Sequence, residues 1–158
     1  MKKTFLAILA ILLANPGFSA NQPLKLPPSS LVLCGPSGVC RFSLPAGDHT
    51  WGKDALIQVA GVQLPSWPSR CQAATLLSNL VVDLMENKIR NASLIEITDL
   101  GEAPPFELTP GKSRSVRKGR IVLDGADLGK TLLELHLGIS EQSKDQPNTA
   151  HKDLWCAP

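Results

Sequence analysis

The chain has no tyrosine, and its three tryptophans and four phenylalanines amount to only 4% of residues. Around its one dense group of cations, Phe106 is the lone aromatic, which argues against the stacking platforms that single-stranded nucleic-acid binders use. Charge of one sign is missing too: 16 Lys and Arg face 14 Asp and Glu. Two of those bases, Lys2 and Lys3, belong to a leader, so 14 balance 14 in the remainder, against a general nucleic-acid coat. No apolar run reaches the roughly 20 residues of a membrane span. The three histidines, His49, His136 and His151, are scattered, and no CxxC or Cys/His grouping has zinc spacing. No metal ligand set and no cofactor is implied.

The N-terminus reads as a secretory signal. Two lysines precede an apolar run over residues 5–14, broken by Asn15, Pro16 and Gly17. Cleavage fits after Ser19 or Ala20, which assigns residues 1–20 to a signal peptide and the protein to the periplasm or the medium. The rest is ordinary in size for one domain and too short for two well-buried cores. All four cysteines, Cys34, Cys40, Cys71 and Cys156, lie in that part. An even number in an exported chain points to bridges. Of three possible connectivities, the closeness of Cys34 and Cys40 favours pairing them, leaving Cys71 with Cys156.

Residues 21–30 (NQPLKLPPSS) are proline-rich and aperiodic, an extended lead-in to a domain over residues 31–158. Short apolar or alternating runs up to Val62, separated by GPSG and AGDHTWG, predict strands and tight turns. From Cys71 to Ile89 the period changes. Ala73, Leu77, Leu80, Val81, Leu84 and Met85 fall at helical spacing, with Ser69 as a candidate N-cap and the leucines as core. A strand follows over residues 93–99, then a turn-rich loop, GEAPPFELTPGK, whose prolines exclude helix. RIVL (residues 120–123) reads as a strand ended by the Asp124-Gly125 turn, and Leu128, Leu132 and Leu135 as a second helix. The tail over residues 141–153 is polar. This order predicts an α+β fold, a small β-barrel with about two packed helices.

That order, with GKDALIQVAGVQLP (residues 52–65), RIVLDGADLGKTLLELHLG (residues 120–138) and the KDLWCAP ending (residues 152–158), resembles the staphylococcal nuclease-like (thermonuclease) domain of exported bacterial proteins. The resemblance implies an OB-fold barrel and makes Cys71–Cys156 the inherited bridge and Cys34–Cys40 an addition. The family's chemistry is calcium-assisted phosphodiester hydrolysis, which needs metal aspartates, a glutamate to activate water and two arginines on the phosphate. Where the family has its Asp-Gly-Asp-Thr turn, this chain has Gly38. Placing Pro65 on the proline of the second motif puts Gln58 at the arginine, Gln63 at the metal aspartate and Ser66 at the glutamate. The second arginine falls at Val116, flanked by Arg114 and Arg117. Losing one charge-stabilising donor already costs about 10²- to 10³-fold in rate, so the expectation is no nuclease of this kind and no catalytic or metal residues. The alternative is a divergent calcium-dependent nuclease built from Asp48, Asp54 and Arg114 or Arg117.

Lys112, Arg114, Arg117, Lys118 and Arg120 place five positive charges in nine residues, with no acid between Glu107 and Asp124. Two readings stay open: a residual anion-binding site for nucleic acid, phosphorylated glycan or an acidic protein surface, and a solvated loop. Trp51 and Trp67 flank the degenerate positions and are candidate contact residues. No partner can be named from the sequence; from the resemblance, an accessory role in an envelope assembly of a mobile or conjugative element is implied.

Overall fold

The computed structural model describes residues 22–45, 53–65, 69, 71–109, 112–141 and 155–156. The assigned signal peptide, Ser66, Asp48, Trp51, Trp67 and the tail from residue 142 to 154 lie outside them, as do the side chains of Phe106 and Lys112.

Nine strands and two helices follow in the order β1 (Leu24–Leu26), β2 (Leu31–Cys34), β3 (Val39–Ser43), β4 (Asp54–Val59), β5 (Val62–Gln63), α1 (Gln72–Asn91), β6 (Ile95–Thr109), β7 (Lys112–Leu123), β8 (Ala126–Asp127), α2 (Leu128–Glu134) and β9 (Ile139–Ser140). Seven strands form one mixed sheet in the order β1-β6-β7-β4-β3-β2, with β8 on β7, and β5 pairs β9 separately. The fold is α+β. All ladders of the large sheet are antiparallel except β4 with β7.

The sheet is open, since no ladder among the described residues joins β1 to β2. It is nonetheless far from flat. Six strands side by side would hold β1 and β2 roughly 24 Å apart, while the five residue steps from Leu26 to Leu31 span at most about 18 Å, and a 3-10 turn at Pro28–Ser30 shortens that reach. Only a strongly coiled sheet brings the two edges within range. Inside the curl lie Phe42, Ile57, Ile95, Ile97 and Ile121, all fully buried. Gly119 is required there, because a Cβ would stand 2.5 Å from the Ile57 side chain.

The lead-in is extended, as expected, and it belongs to the sheet. Leu24–Leu26 pairs with β6, and Leu26 joins the core. The loop expected over residues 101–112 is instead, in its described residues 101–109 and 112, the outer part of β6 and the start of β7. Two of the three register shifts in this ladder coincide with its sequence, between Asp99 and Glu102, at Gly101, and between Ala103 and Phe106, at Pro104-Pro105; the third falls between Glu107 and Thr109. Proline donates no ladder hydrogen bond, so it sits where the ladder is already interrupted. The basic run is therefore strand.

Helix α1 begins at Cys71 rather than Ser69, whose hydroxyl bonds the Thr75 hydroxyl at 2.5 Å. Its buried stripe is Ala74, Ser78, Val81, Met85 and Ile89, displaced from the predicted one. Ala73 is exposed, and Leu76 and Leu80 are 62% and 55% exposed. The rotation is fixed by polar contacts that periodicity does not register: Glu86 accepts the Cys34 amide at 2.8 Å, and Arg90 reaches the Val32 carbonyl at 3.2 Å. These two side chains cover the outer edge of β2, which would otherwise offer unpaired backbone. In α2, Leu128 and Leu132 are core, while Leu135 is about half exposed. Asp127 caps α2 by accepting from the Lys130 amide at 3.1 Å.

Both disulfides join the expected partners, Cys34 with Cys40 and Cys71 with Cys156, and no described cysteine is free. The first ties directly opposed residues of β2 and β3. The second spans 85 residues of sequence and fixes the chain end to the start of α1. Among the described residues, no helix is long and apolar enough to cross a membrane.

Candidate functional site

Strands β3, β4 and β7 lie side by side, and one row across them reads Val39, Gln58, Lys118. Gly38 immediately precedes that row and Val116 lies two residues before Lys118 on β7, so three of the degenerate positions, Gly38, Gln58 and Val116, share a neighbourhood. Gln63 sits apart on β5, opposite Ile139.

Around Gly38 the neighbours are apolar. Gly38 has φ +75°, and a Cβ there would stand 2.8 Å from a Leu64 δ-methyl and 3.9 Å from the Val59 side chain. A side chain at position 38 thus lacks both room and an unstrained backbone. Val116 is 1% exposed and is not part of the main core cluster. It forms a small apolar patch between Arg114 and Lys118. Among the described residues, no three His, Cys, Asp or Glu side chains group as a metal site.

The cations of β7 are mostly engaged. Arg117 meets Asp99 through two hydrogen bonds, Nη2 to Oδ2 at 2.6 Å and Nε to Oδ1 at 3.2 Å. Lys118 Nζ lies 2.6 Å from Glu141 Oε2, and Arg120 Nε 2.7 Å from Asp127 Oδ2. Each acid comes from a different segment, β6, the chain after β9, and the start of α2. That is why the local sequence showed cations without acids. Arg117 shares its side of β7 with Gly119, which faces the core, whereas Lys118 and Arg120 point the other way. Among the described cations, Arg117 therefore does not share a surface with Lys118 and Arg120. Lys112 contributes its backbone to β7, opposite Thr109.

Arg114 is half-buried beside a pair made by Asp54, a candidate of the alternative reading, and Arg41, which the sequence did not single out. Arg41 on β3 donates from Nη2 to Asp54 Oδ2 at 2.8 Å. That hydrogen bond is the main reason the Asp54 carboxyl is held below its ordinary value; partial desolvation opposes it, and the charges of Arg41 and Arg114 lower it further. Arg41 Nε is buried and has no partner among the described residues.

A concave feature lies where α1, the β7–β8 turn and α2 meet, a cleft of about 340 Å³ whose lining includes Leu84, Asn87, Lys88, Leu128 and Thr131. Asp124 also lines it, but its carboxylate already accepts the Ser93 and Leu94 amides at 2.9–3.0 Å. Asp124 and Gly125 both have positive φ, as a two-residue hairpin turn of the primed type requires.

No protein-family model matches the chain, and comparison with curated proteins found no match.

Proposed function

We propose that this is an exported, catalytically degenerate nuclease-like protein of the OB-fold barrel type, acting as a binding or accessory protein in the periplasm, with an envelope assembly of a conjugative element as its setting. The observation that carries the reading is the packing of Leu64 over Gly38 in a neighbourhood shared with Gln58 and Val116. In this reading β3, β4 and β7 would carry the hydrolytic positions, and Gly38, Gln58 and Val116 are neutral or apolar where charge would be needed. The coiled sheet with α1 packed on it supports the barrel assignment, and two bridges support export. The alternative, a divergent calcium-dependent nuclease, would have to recruit Asp54, and that carboxylate is already bonded to Arg41. Partners in this reading are an envelope protein and, more weakly, nucleic acid or another anion.

Pull-down of a tagged chain from envelope extracts of its own host tests the accessory role. Reproducible recovery of one envelope component that purifies with no other tagged exported protein is the expected result; a monomer that retains nothing after crosslinking contradicts it.

A further inference from the structure

Three carboxylates neutralise the basic strand, and two of them are bound up with the fold. Asp99 also accepts the Gly101 amide at 2.9 Å, holding the bend in β6, and Asp127 caps α2. Glu141 differs. Its Oε2 accepts the exposed Gly61 amide at 3.0 Å and meets Lys118 Nζ at 2.6 Å. Its own backbone amide donates to the Gly61 carbonyl at 3.3 Å, so its main chain stays in place whatever its side chain does.

We infer that the Gly61 amide and the Lys118 ammonium form a site for a phosphate-type oxyanion, occupied in the free protein by the Glu141 carboxylate. Both donors are held without Glu141. Lys118 is fixed by the β4–β7 ladder, and the turn that carries Gly61 is tied to β7 by the Ala60 amide, which donates to the Gly119 carbonyl at 2.9 Å. Gly61 has φ +82° and nothing within 4 Å of where its Cβ would be, and the hydrogen bond its amide makes to Glu141 is exposed. A backbone N–H beside an ammonium is the donor pairing that oxyanions select. Gln58, beside Lys118 on β4, supplies a neutral amide at the rim. Rotation of the Glu141 side chain alone exposes the pair.

The inference rests on reading β7 as the binding strand. It is tested by titrating the oxidised mature chain and Glu141→Gln with orthophosphate by calorimetry and with labelled oligothymidylate by anisotropy, both at low salt. If Glu141 holds the site nine-tenths of the time, its removal raises apparent affinity about tenfold. The gain should disappear in Lys118→Ala/Glu141→Gln. Glu141→Ala, which also removes the acceptor for the Gly61 amide, should reproduce the gain, and melting curves confirm that each variant is folded. A gain for orthophosphate alone identifies free phosphate as the ligand; a gain for the oligonucleotide identifies phosphodiesters. Unchanged affinity for both probes, or a gain that survives loss of Lys118, overturns the inference. Calcium-dependent cleavage would overturn the degenerate-enzyme reading and leave this result standing.

Discussion

A δ-methyl of Leu64 occupies the space into which a side chain on Gly38 would have to project, 2.8 Å from its hypothetical Cβ. Restoring a carboxylate at this position therefore does not restore a metal site. Gly38→Asp should lower stability by about 2 kcal/mol, from left-handed backbone cost and displacement of Leu64. Calcium should not raise the melting temperature of the variant. A calcium-dependent increase of several degrees would show that the turn can still assemble a ligand set.

The two bridges should differ in weight. In the chain-entropy model a loop of 85 residues corresponds to about 4.6 kcal/mol and one of 6 residues to about 2.2 kcal/mol. Replacing both Cys71 and Cys156 with serine should accordingly lower the urea midpoint about twice as far as replacing Cys34 and Cys40. Equal losses would mean that the Cys34–Cys40 bridge stabilises the fold beyond closing its loop, for example by holding the edge of β2 against Glu86.

Among the ion pairs of β7, Arg117–Asp99 is the one with stability at stake. It is bidentate and mostly buried, and charged hydrogen bonds of this kind contribute about 2 kcal/mol. Asp99→Ala should cost that much. Arg120→Ala, which removes a pair whose arginine is half exposed, should cost no more than about 0.5 kcal/mol. Chemical denaturation of the two variants decides between this ranking and its reverse.

Asp54 sets a pH dependence with a definite sign. Its folded-state acidity is shifted below the ordinary value of 3.8 by the Arg41 hydrogen bond. The stabilisation is then fully present above that value and is lost as pH falls through the lower folded one. Wild-type urea midpoints should drop more steeply between about pH 4 and pH 2 than those of Asp54→Asn. Parallel curves would mean that the Arg41 contact is absent in solution.

Much of the chain's organisation was legible in its sequence. The two helices, the Asp124-Gly125 turn and the disulfide pairing follow from apolar period, turn chemistry and cysteine spacing. The β6–β7 hairpin was hidden because Gly101, Pro104 and Pro105 are loop residues by composition, and only the ladder around them reveals that they sit at its interruptions. The rotation of α1 was hidden for a different reason. The four leucines of α1, at positions 76, 77, 80 and 84, fall within an arc of about 100°, while the face that packs runs through Ala74, Ser78, Val81, Met85 and Ile89, with Glu86 and Arg90 bonded to β2 beside it. The run of cations was visible, but its partners Asp99, Asp127 and Glu141 lie outside the run and meet it only in the fold, so their pairing was not. The local sequence carries no signal for the Gly61–Lys118–Glu141 cluster, since its members meet only once β9 has returned to β5.

The degenerate-site reading is tested most directly by incubating the oxidised mature protein with single- and double-stranded DNA and with RNA in millimolar calcium, with and without a chelator. Intact substrate in every lane, beside a calcium-dependent nuclease that degrades all three, is the expected result. Efficient cleavage abolished by the chelator would contradict it and return Asp48, Asp54 and Arg114 or Arg117 to the position of catalytic candidates.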